Sequence, residues 1–572
     1  MIKIGPAFSD SIKLEKSQKH PGYSDRRYSV RNYILPAFLI LGVLLIGARL
    51  FFLQIIKGND YRNLSDNNRI KTIPIYAPRG IIFDRNGIPL VFNTPGFREN
   101  LKINGKDETK LIGNSEALKL LSEGKNNLEI DSLRNYPYKN AAAHVIGYIG
   151  QISEDELKQK KFTDYTGGDL VGKIGIEKEY ENLLRGTNGK ELAEVDSRGK
   201  VIRKLGQTDP ISGKNITLTL DVSLQKAVFE AMKDVEKGAA IVSNSKGEIL
   251  TLVSKPSFDS NLFTMGEGYS ADQDSHYSSV SQILTDSENQ PLLDRTISGT
   301  YPPGSTFKLI VAAAGLDDKV IDSNFTIEDT GILRIGAFSF SNWYFSQYGR
   351  KDEEVNVVKA IQRSNDIFFY KLAEMVGVDR ISEFAEKFGL GAKLGIDLPG
   401  EVSGVVPTRE WKEKEIGEDW YLGDTYHYGI GQGFLLTTPL QVNTWTGAIA
   451  NKGTLYKPHL LKDSKSEIQN SKFLSDETIS LIKEGMFKSC STGGVAWPLF
   501  DFKVKGKPVS IACKTGTAQH GGEEALPHAW ITLFAPAENP EIIITVLSEE
   551  SGEGSNIAAP IAKKVLEEWF GR

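Results

Sequence analysis

At 572 residues the chain is longer than one ordinary core accommodates; at about 150 residues per domain its length points to roughly four units, gathered into two large folded parts. Asp and Glu (73) outnumber Lys and Arg (68), the formal charge is -5 and the pI is ≈ 6.0, so the basic footprint that nucleic-acid binding needs is missing. The two cysteines, Cys490 and Cys513, make neither a disulfide framework nor a zinc set. Both are expected as free thiols, with pairing open to them if the domain is exported.

Residues 1–32 are polar and carry seven Lys/Arg against Asp10, Glu15 and Asp25, the charge bias of a cytoplasmic tail. Residues 33–48 carry no charge, and with 50–56 they reach the roughly 20 residues that cross a bilayer. Arg49, near the outer end, can snorkel to the interface. A cleaved signal peptide is the competing reading, but the charged leader is long and no A-x-A site follows the apolar run. The expectation is therefore an uncleaved single-pass anchor over 33–56 in the cell membrane, with the N-terminus cytoplasmic and everything after it outside.

Residues 69–87 alternate in strand fashion and close on Asn86-Gly87, a hairpin signal. Residues 94–133 read as polar and helix-tolerant. From 57 to 210 the chain looks like a modest mixed domain with no cluster of carboxylates, histidines or cysteines, hence a spacer or docking platform. The character then changes. Residues 216–220 form a strand, 223–232 an amphipathic helix, and 239–243 with 248–253 a hairpin about Lys246-Gly247. Near the end, 509–513, 529–534 and 541–547 read as strands and 557–570 as a closing helix, so the two ends of the 211–572 domain can share one antiparallel sheet. The middle, 302–488, is mainly helical. The expected class is α+β, a sheet flanked by helices with a cleft between sheet and helices.

Three motifs carry chemistry. In Tyr301-Pro-Pro-Gly-Ser-Thr-Phe-Lys308 two prolines and a glycine force an extended approach, and the apolar run after them places Ser305 in the first turn of a buried helix. Lys308 lies on the same face three residues on; burial disfavours its charge, and a neutral amine can take the serine's proton. The spacing alone is weak, since Ser122/Lys125, Ser197/Lys200, Ser223/Lys226 and Ser243/Lys246 share it without the Pro-Pro-Gly approach. What singles out Ser305 is the ordered trio it forms with Ser364-Asn365-Asp366 and with Lys514-Thr515-Gly516-Thr517, a pattern associated with β-lactamases and penicillin-binding proteins.

From anchor to C-terminal helix the sequence resembles a class B, monofunctional penicillin-binding protein. The matching signposts include Ala77-Pro-Arg-Gly80 with Asp84-Arg-Asn-Gly87, Leu218-Thr-Leu-Asp-Val-Ser-Leu-Gln225, and Gly429-Ile-Gly-Gln-Gly433. Ser364-x-Asp366, Asn342-Trp343 and residues 404–411 resemble the elongation-type, penicillin-binding protein 2-like enzymes more than the division type. The resemblance implies a pedestal domain over 57–210, a transpeptidase domain over 211–572, and a D,D-transpeptidase that cross-links peptidoglycan stem peptides ending in D-Ala-D-Ala and is acylated by β-lactams. It implies Ser305 as nucleophile, Lys308 as base, Ser364, between Lys308 and Lys514, as the proton relay to the leaving nitrogen, Lys514 as a source of positive potential, Thr515 and Thr517 as carboxylate holders, and the N–H groups of Ser305 and Thr517 as an oxyanion hole, without cofactor or metal. A membrane-embedded glycan polymerase of the elongation machinery is the implied partner. Asp366 and Asp294 stand where many relatives have Asn, and residues 94–133 are shorter than the usual pedestal head.

Two other classes compete: a β-lactam sensor or β-lactamase, and a catalytically silent scaffold. A sensor should have more membrane spans and a lactamase no pedestal, while intact Ser305, Lys308, Ser364 and Lys514 argue against a silent scaffold. His520 and His528 read as surface or loop histidines, and Phe368-Phe369-Tyr370 as helix core. Trp411, Trp420 and Tyr421 either line a groove or cover a loop.

Overall fold

The computed structural model describes residues 31–572 apart from 104–105, 126–127, 197–199, 267, 273–274 and 523–524; the tail expected over 1–32 falls almost wholly outside the described residues. The chain clusters into two compact units, Met1–Ile73 with Glu191–Gln207, and Pro74–Lys190 with Thr208–Arg572.

In the first unit a helix over Arg31–Phe51 runs into a π turn at Phe52–Ile56. The apolar stretch Tyr33–Ile56 is 24 residues long and none of it is buried in the protein, the pattern of a segment whose surroundings are lipid. A polar helix, Gly58–Arg69, and a three-stranded sheet of Ile70–Ile75, Gly189–Val195 and Val201–Thr208 follow. Glu194 joins this sheet to the helix end by accepting from both Arg69 and Arg203.

The second unit opens with a mixed sheet. Its central strand, Pro89–Ile103, pairs with Ile82–Phe83, Lys106–Ile112 and Glu129–Asn135, and Ile216–Thr217 joins Ile82–Phe83 in parallel. Two expectations are corrected here. Residues 69–87 do not make one hairpin: Ile70–Ile75 pairs elsewhere, Pro78, lacking an N–H donor, sits in the strand-free stretch 76–81, and Asn86-Gly87 turns only Ile82–Phe83 back onto Pro89–Val91. The turn is held by Asp84, whose Oδ1 accepts from the N–H groups of Asn86 and Ile88, each at 2.8 Å. The described residues of 94–133 are mostly strand, with a helix among them only at Asn114–Ser122. Inward positions there are ionic: Arg98 is buried against Asp131 at 2.7 Å and over the Tyr76 ring, so apolar alternation does not mark the strands.

The larger part of the unit is built on a five-stranded antiparallel sheet in the order Ile249–Lys255, Gly238–Ser243, Ile542–Ser548, His528–Ala535, Ala512–Ala518. The chain's early and late strands do share this sheet. Helices cover both faces, so the strands are almost continuously buried: Val222–Ala231 and Ala558–Gly571 on one side, Lys308–Asp317 and Pro439–Ala450 on the other. Ala512–Ala518 lies at the open edge.

Cys490 and Cys513 are joined by a disulfide with a Cα–Cα distance of 5.9 Å, which corrects the free-thiol expectation. Cys490 ends the helix Asp476–Ser489 and Cys513 lies on the edge strand; both enter the same apolar cluster. A return of the chain over 23 residues brings them together, and no local sequence pattern marks it.

Candidate active site

Ser305 sits in a 3-10 turn, Gly304–Thr306, directly ahead of the helix Lys308–Asp317. Gly304 takes a φ of +52°, and its N–H donates to the Gly431 carbonyl at 2.9 Å. Two glycines let this turn nest against its neighbours: a Cβ on Gly431 would lie 2.1 Å from the Gly304 carbonyl oxygen, and one on Gly516 would lie 2.9 Å from that of Pro303. The Trp530 indole N–H fixes the approach by donating to the Pro302 carbonyl at 3.1 Å. The turn is thereby pressed onto the edge strand.

Beneath Ser305, Lys308 is wholly buried. Its Nζ donates to Asp366 Oδ1 at 2.6 Å and to the Ser364 carbonyl at 2.8 Å, and stands 3.4 Å from Ser364 Oγ. From the sheet side, the equally buried Lys514 donates to Ser364 Oγ at 2.8 Å and to the Thr515 carbonyl at 2.9 Å. One hydroxyl therefore stands between two lysine amines. Burial pushes the Lys308 amine below the ordinary lysine value, with the Asp366 carboxylate acting in the opposite direction. Burial and then the charge of Lys308 push the Lys514 amine well below its ordinary value, again opposed by Asp366.

Ser364 itself has φ +54° and ψ 39°, a left-handed conformation that costs a serine of order 1–3 kcal/mol and that places its hydroxyl where the Val357–Arg363 helix ends. The next residue holds it there. Asn365 caps the helix Asp366–Val376 by accepting from the Phe368 N–H at 2.9 Å, and donates to Asp329 and Asp352 at 2.9 and 3.3 Å. Asp366 is committed on both oxygens, to Lys308 and to the Trp343 N–H at 2.9 Å, while its own N–H donates to Asn342 Oδ1 at 3.2 Å. Sequence reasoning assigned no role to Asn342, Asp329, Asp352 or Arg363, whose guanidinium pairs with Asp352 at 3.0 Å. The dipeptide Asn342-Trp343 was visible as a motif, but its place beside Asp366 needs the fold.

Ser305, Ser364, Asp366, Thr515 and Thr517 line one cleft of about 470 Å³; Lys308 and Lys514 are buried and reach it through Ser364, and Gly516 lies between the two threonines. All eight residues singled out in the three motifs converge. Trp411, Trp420 and Tyr421 do not line the cleft; Trp411 packs on Phe434 and Trp420 on Tyr428. His528 is corrected from loop to core: it is buried on its strand, edge-on to Tyr301, because the strand's inward face covers the Pro-Pro-Gly approach. His520 is half-exposed and 3.3 Å from Glu550.

Comparison with known proteins places this geometry. Residues 238–567 match the Penicillin binding protein transpeptidase domain and residues 125–218 the Penicillin-binding Protein dimerisation domain. Peptidoglycan D,D-transpeptidase MrdA of Haemophilus influenzae is 32% identical over 98% of this chain and 95% of its own length. The penicillin-binding protein PBP2 of Helicobacter pylori, solved in complex with MreC, superposes with a TM-score of 0.74 at 30% identity, covering 88% of this chain and 99% of that one. A chain of a solved peptidoglycan synthase complex, described as coordinating polymerization and crosslinking, gives 0.72 at 28% identity over 95% of this chain and 99% of its own. On the full-length likeness and the matched domains, the chain belongs to the class B penicillin-binding proteins, among the PBP2-like, elongation-type peptidoglycan D,D-transpeptidases.

Proposed function

We propose that this transpeptidase works through an acyl-enzyme on Ser305. Ser305 Oγ attacks the carbonyl of the penultimate D-alanine of a stem peptide, and its proton passes to the neutral amine of Lys308 one helical turn along. The bond to the terminal D-alanine breaks as Ser364, set between the two lysines, passes a proton to the leaving nitrogen. An amine of a neighbouring strand then attacks the ester and loses its proton by the reverse route. The backbone N–H groups of Ser305 and Thr517 serve the oxyanion, where one donor is typically worth about 3 kcal/mol. The Thr515 and Thr517 hydroxyls hold the substrate carboxylate, Lys514 supplies positive potential, and Gly516 keeps the strand close to the serine turn. Asp366 acts by anchoring Lys308. A β-lactam enters by the same attack, with the ring nitrogen as a leaving group that stays tethered.

The observation that carries this reading is the Ser364 hydroxyl at 2.8 Å from one buried amine and 3.4 Å from the other. Labelling with a fluorescent penicillin tests it. Ser305→Ala abolishes labelling; Lys308→Arg keeps the fold and slows acylation about 100-fold or more, the scale of a lost general base, because arginine keeps its proton. Lys308→Arg acylating near the wild-type rate would remove Lys308 from the base role.

The same reading extends to place and partners. The basic tail favours a cytoplasmic N-terminus, and a buried disulfide favours an oxidising compartment for the 211–572 domain. With the pedestal head short, control runs through the span and the residues that follow it, by contact with a membrane-embedded glycan polymerase and with an MreC-like protein of the kind the Helicobacter relative binds. Purifying the full-length protein beside a version with an unrelated span tests this; equal recovery of the polymerase with both excludes a role for the span.

A further inference from the structure

The Lys514 strand is the open edge of its sheet, paired on one side only, yet it must hold Lys514 in hydrogen-bond reach of a serine 150 residues away in sequence. An edge strand has half the ladder of a central one, so something else has to fix it. The residue before Lys514 is Cys513, bonded to Cys490 at the end of the helix Asp476–Ser489. That helix packs on both the edge strand and the helix Val357–Arg363 that presents Ser364. The packing is close: a Cβ on Gly485 would lie 2.7 Å from Ile361 Cβ, and the Ile361 carbonyl accepts from the Ser364 N–H at 3.3 Å. Beyond Cys490 the chain turns back so that the Gly493 carbonyl accepts from Arg363 at 3.2 Å and Val495 reaches the cleft wall. The disulfide thus closes a frame whose two ends are the two partners of one hydrogen bond.

We propose that the Cys490–Cys513 disulfide is a positioning element for catalysis: it fixes Lys514 against Ser364, and the enzyme reaches full acylation competence only when the thiol pair has been oxidised after export. This rests on the roles given above to Ser364 and Lys514. Oxidation takes two protons and two electrons from the thiols; a protein disulfide donor accepts them and becomes a dithiol.

The test uses the full-length protein in detergent, in oxidised, reduced and reoxidised form, beside a Cys490→Ala/Cys513→Ala variant. Alkylation followed by mass measurement counts free thiols, fluorescent penicillin gives the acylation rate across pH, and thermal melting confirms that each form is folded at the assay temperature. Oxidised protein should show no alkylatable thiol. The reduced and variant forms should stay folded but acylate about ten-fold more slowly, with the rise in rate moved to higher pH. A loosened site admits water and lessens the burial of both amines, which among the described residues take their charge interactions from Asp366 and, for Lys514, from Lys308. Reoxidation should restore rate and profile in the wild type alone. Two free thiols in protein taken directly from membranes, or an unchanged rate and profile after reduction, would overturn the proposal. Ser305→Ala, run alongside, reads the acyl-enzyme assignment separately.

Discussion

The base role proposed for Lys308 falls to an amine 2.6 Å from a carboxylate, and the two demands pull its proton in opposite directions. Burial expels the proton and Asp366 retains it, with burial prevailing, so the amine gives up its proton more readily than an ordinary lysine. Asp366→Asn should tip that balance. Without the anionic partner the Lys308 pKa falls further, so the rise of acylation rate with pH moves to lower pH, as a property of the coupled site rather than of one amine. Loss of the charged contacts to Lys308 and to the Trp343 N–H should cost roughly 2 kcal/mol of stability, read by thermal or denaturant melts beside the pH profile. A profile that moved to higher pH would mean that Asp366 does not hold the Lys308 proton. The residues that meet in this cleft were legible in the sequence because the three ordered motifs mark their types and spacing. The aspartates that brace Asn365 were not, since Asp329 and Asp352 carry no spacing that distinguishes them from solvated surface carboxylates.

At the scale of elements, the meeting of the serine turn with its neighbours depends on missing side chains. Gly431 has φ +75° and no room for a Cβ beside the Gly304 carbonyl, so Gly431→Ala combines backbone strain with a steric conflict. The expected cost is about 2–4 kcal/mol in a melt, with a fall in the acylation rate larger than lost folded protein explains, because the serine turn itself is displaced. A stable variant with wild-type acylation would show that the loop yields elsewhere. Element reading from sequence worked for most of the sheet built on Ile542–Ser548, where both faces are buried and that strand is a run rich in Ile, Leu and Val; the edge strand, read at 509–513, lies at Ala512–Ala518. It failed for Pro89–Ile103 and its neighbours. There Arg98, Glu99 and Arg134 are buried, and Arg79 and Arg134 share Glu177 at 2.9 and 2.7 Å. An ionic interior has no hydrophobic period to read.

For the whole molecule, the orientation proposed from the apolar stretch Tyr33–Ile56 and the basic residues before it is one that protease protection can check. Protease added to intact spheroplasts should digest the chain beyond Gly58 and leave the N-terminal tail; a protected C-terminal domain with a cut tail would reverse the orientation. The chain's grouping was legible only in part. The motifs lie far apart in sequence, 56 residues from Lys308 to Ser364 and 150 from Ser364 to Lys514, and their common chemistry predicted that they meet. Residues 216–220 read as a strand, but nothing local predicted that Ile216–Thr217 would pair with Ile82–Phe83, because strand pattern does not name a partner.

The open edge at Ala512–Ala518 bears also on how the protein behaves in solution. An unpaired edge offers its N–H and C=O groups to any extended chain, which suits a peptide substrate and equally suits a second copy of the enzyme. The cell dilutes these edges across a membrane surface, whereas a concentrated detergent preparation does not. Scattering at rising concentration should therefore show slow self-association that a bound β-lactam, lying against the strand, suppresses; colloidal stability and catalytic readiness would then be opposite faces of the same unpaired strand.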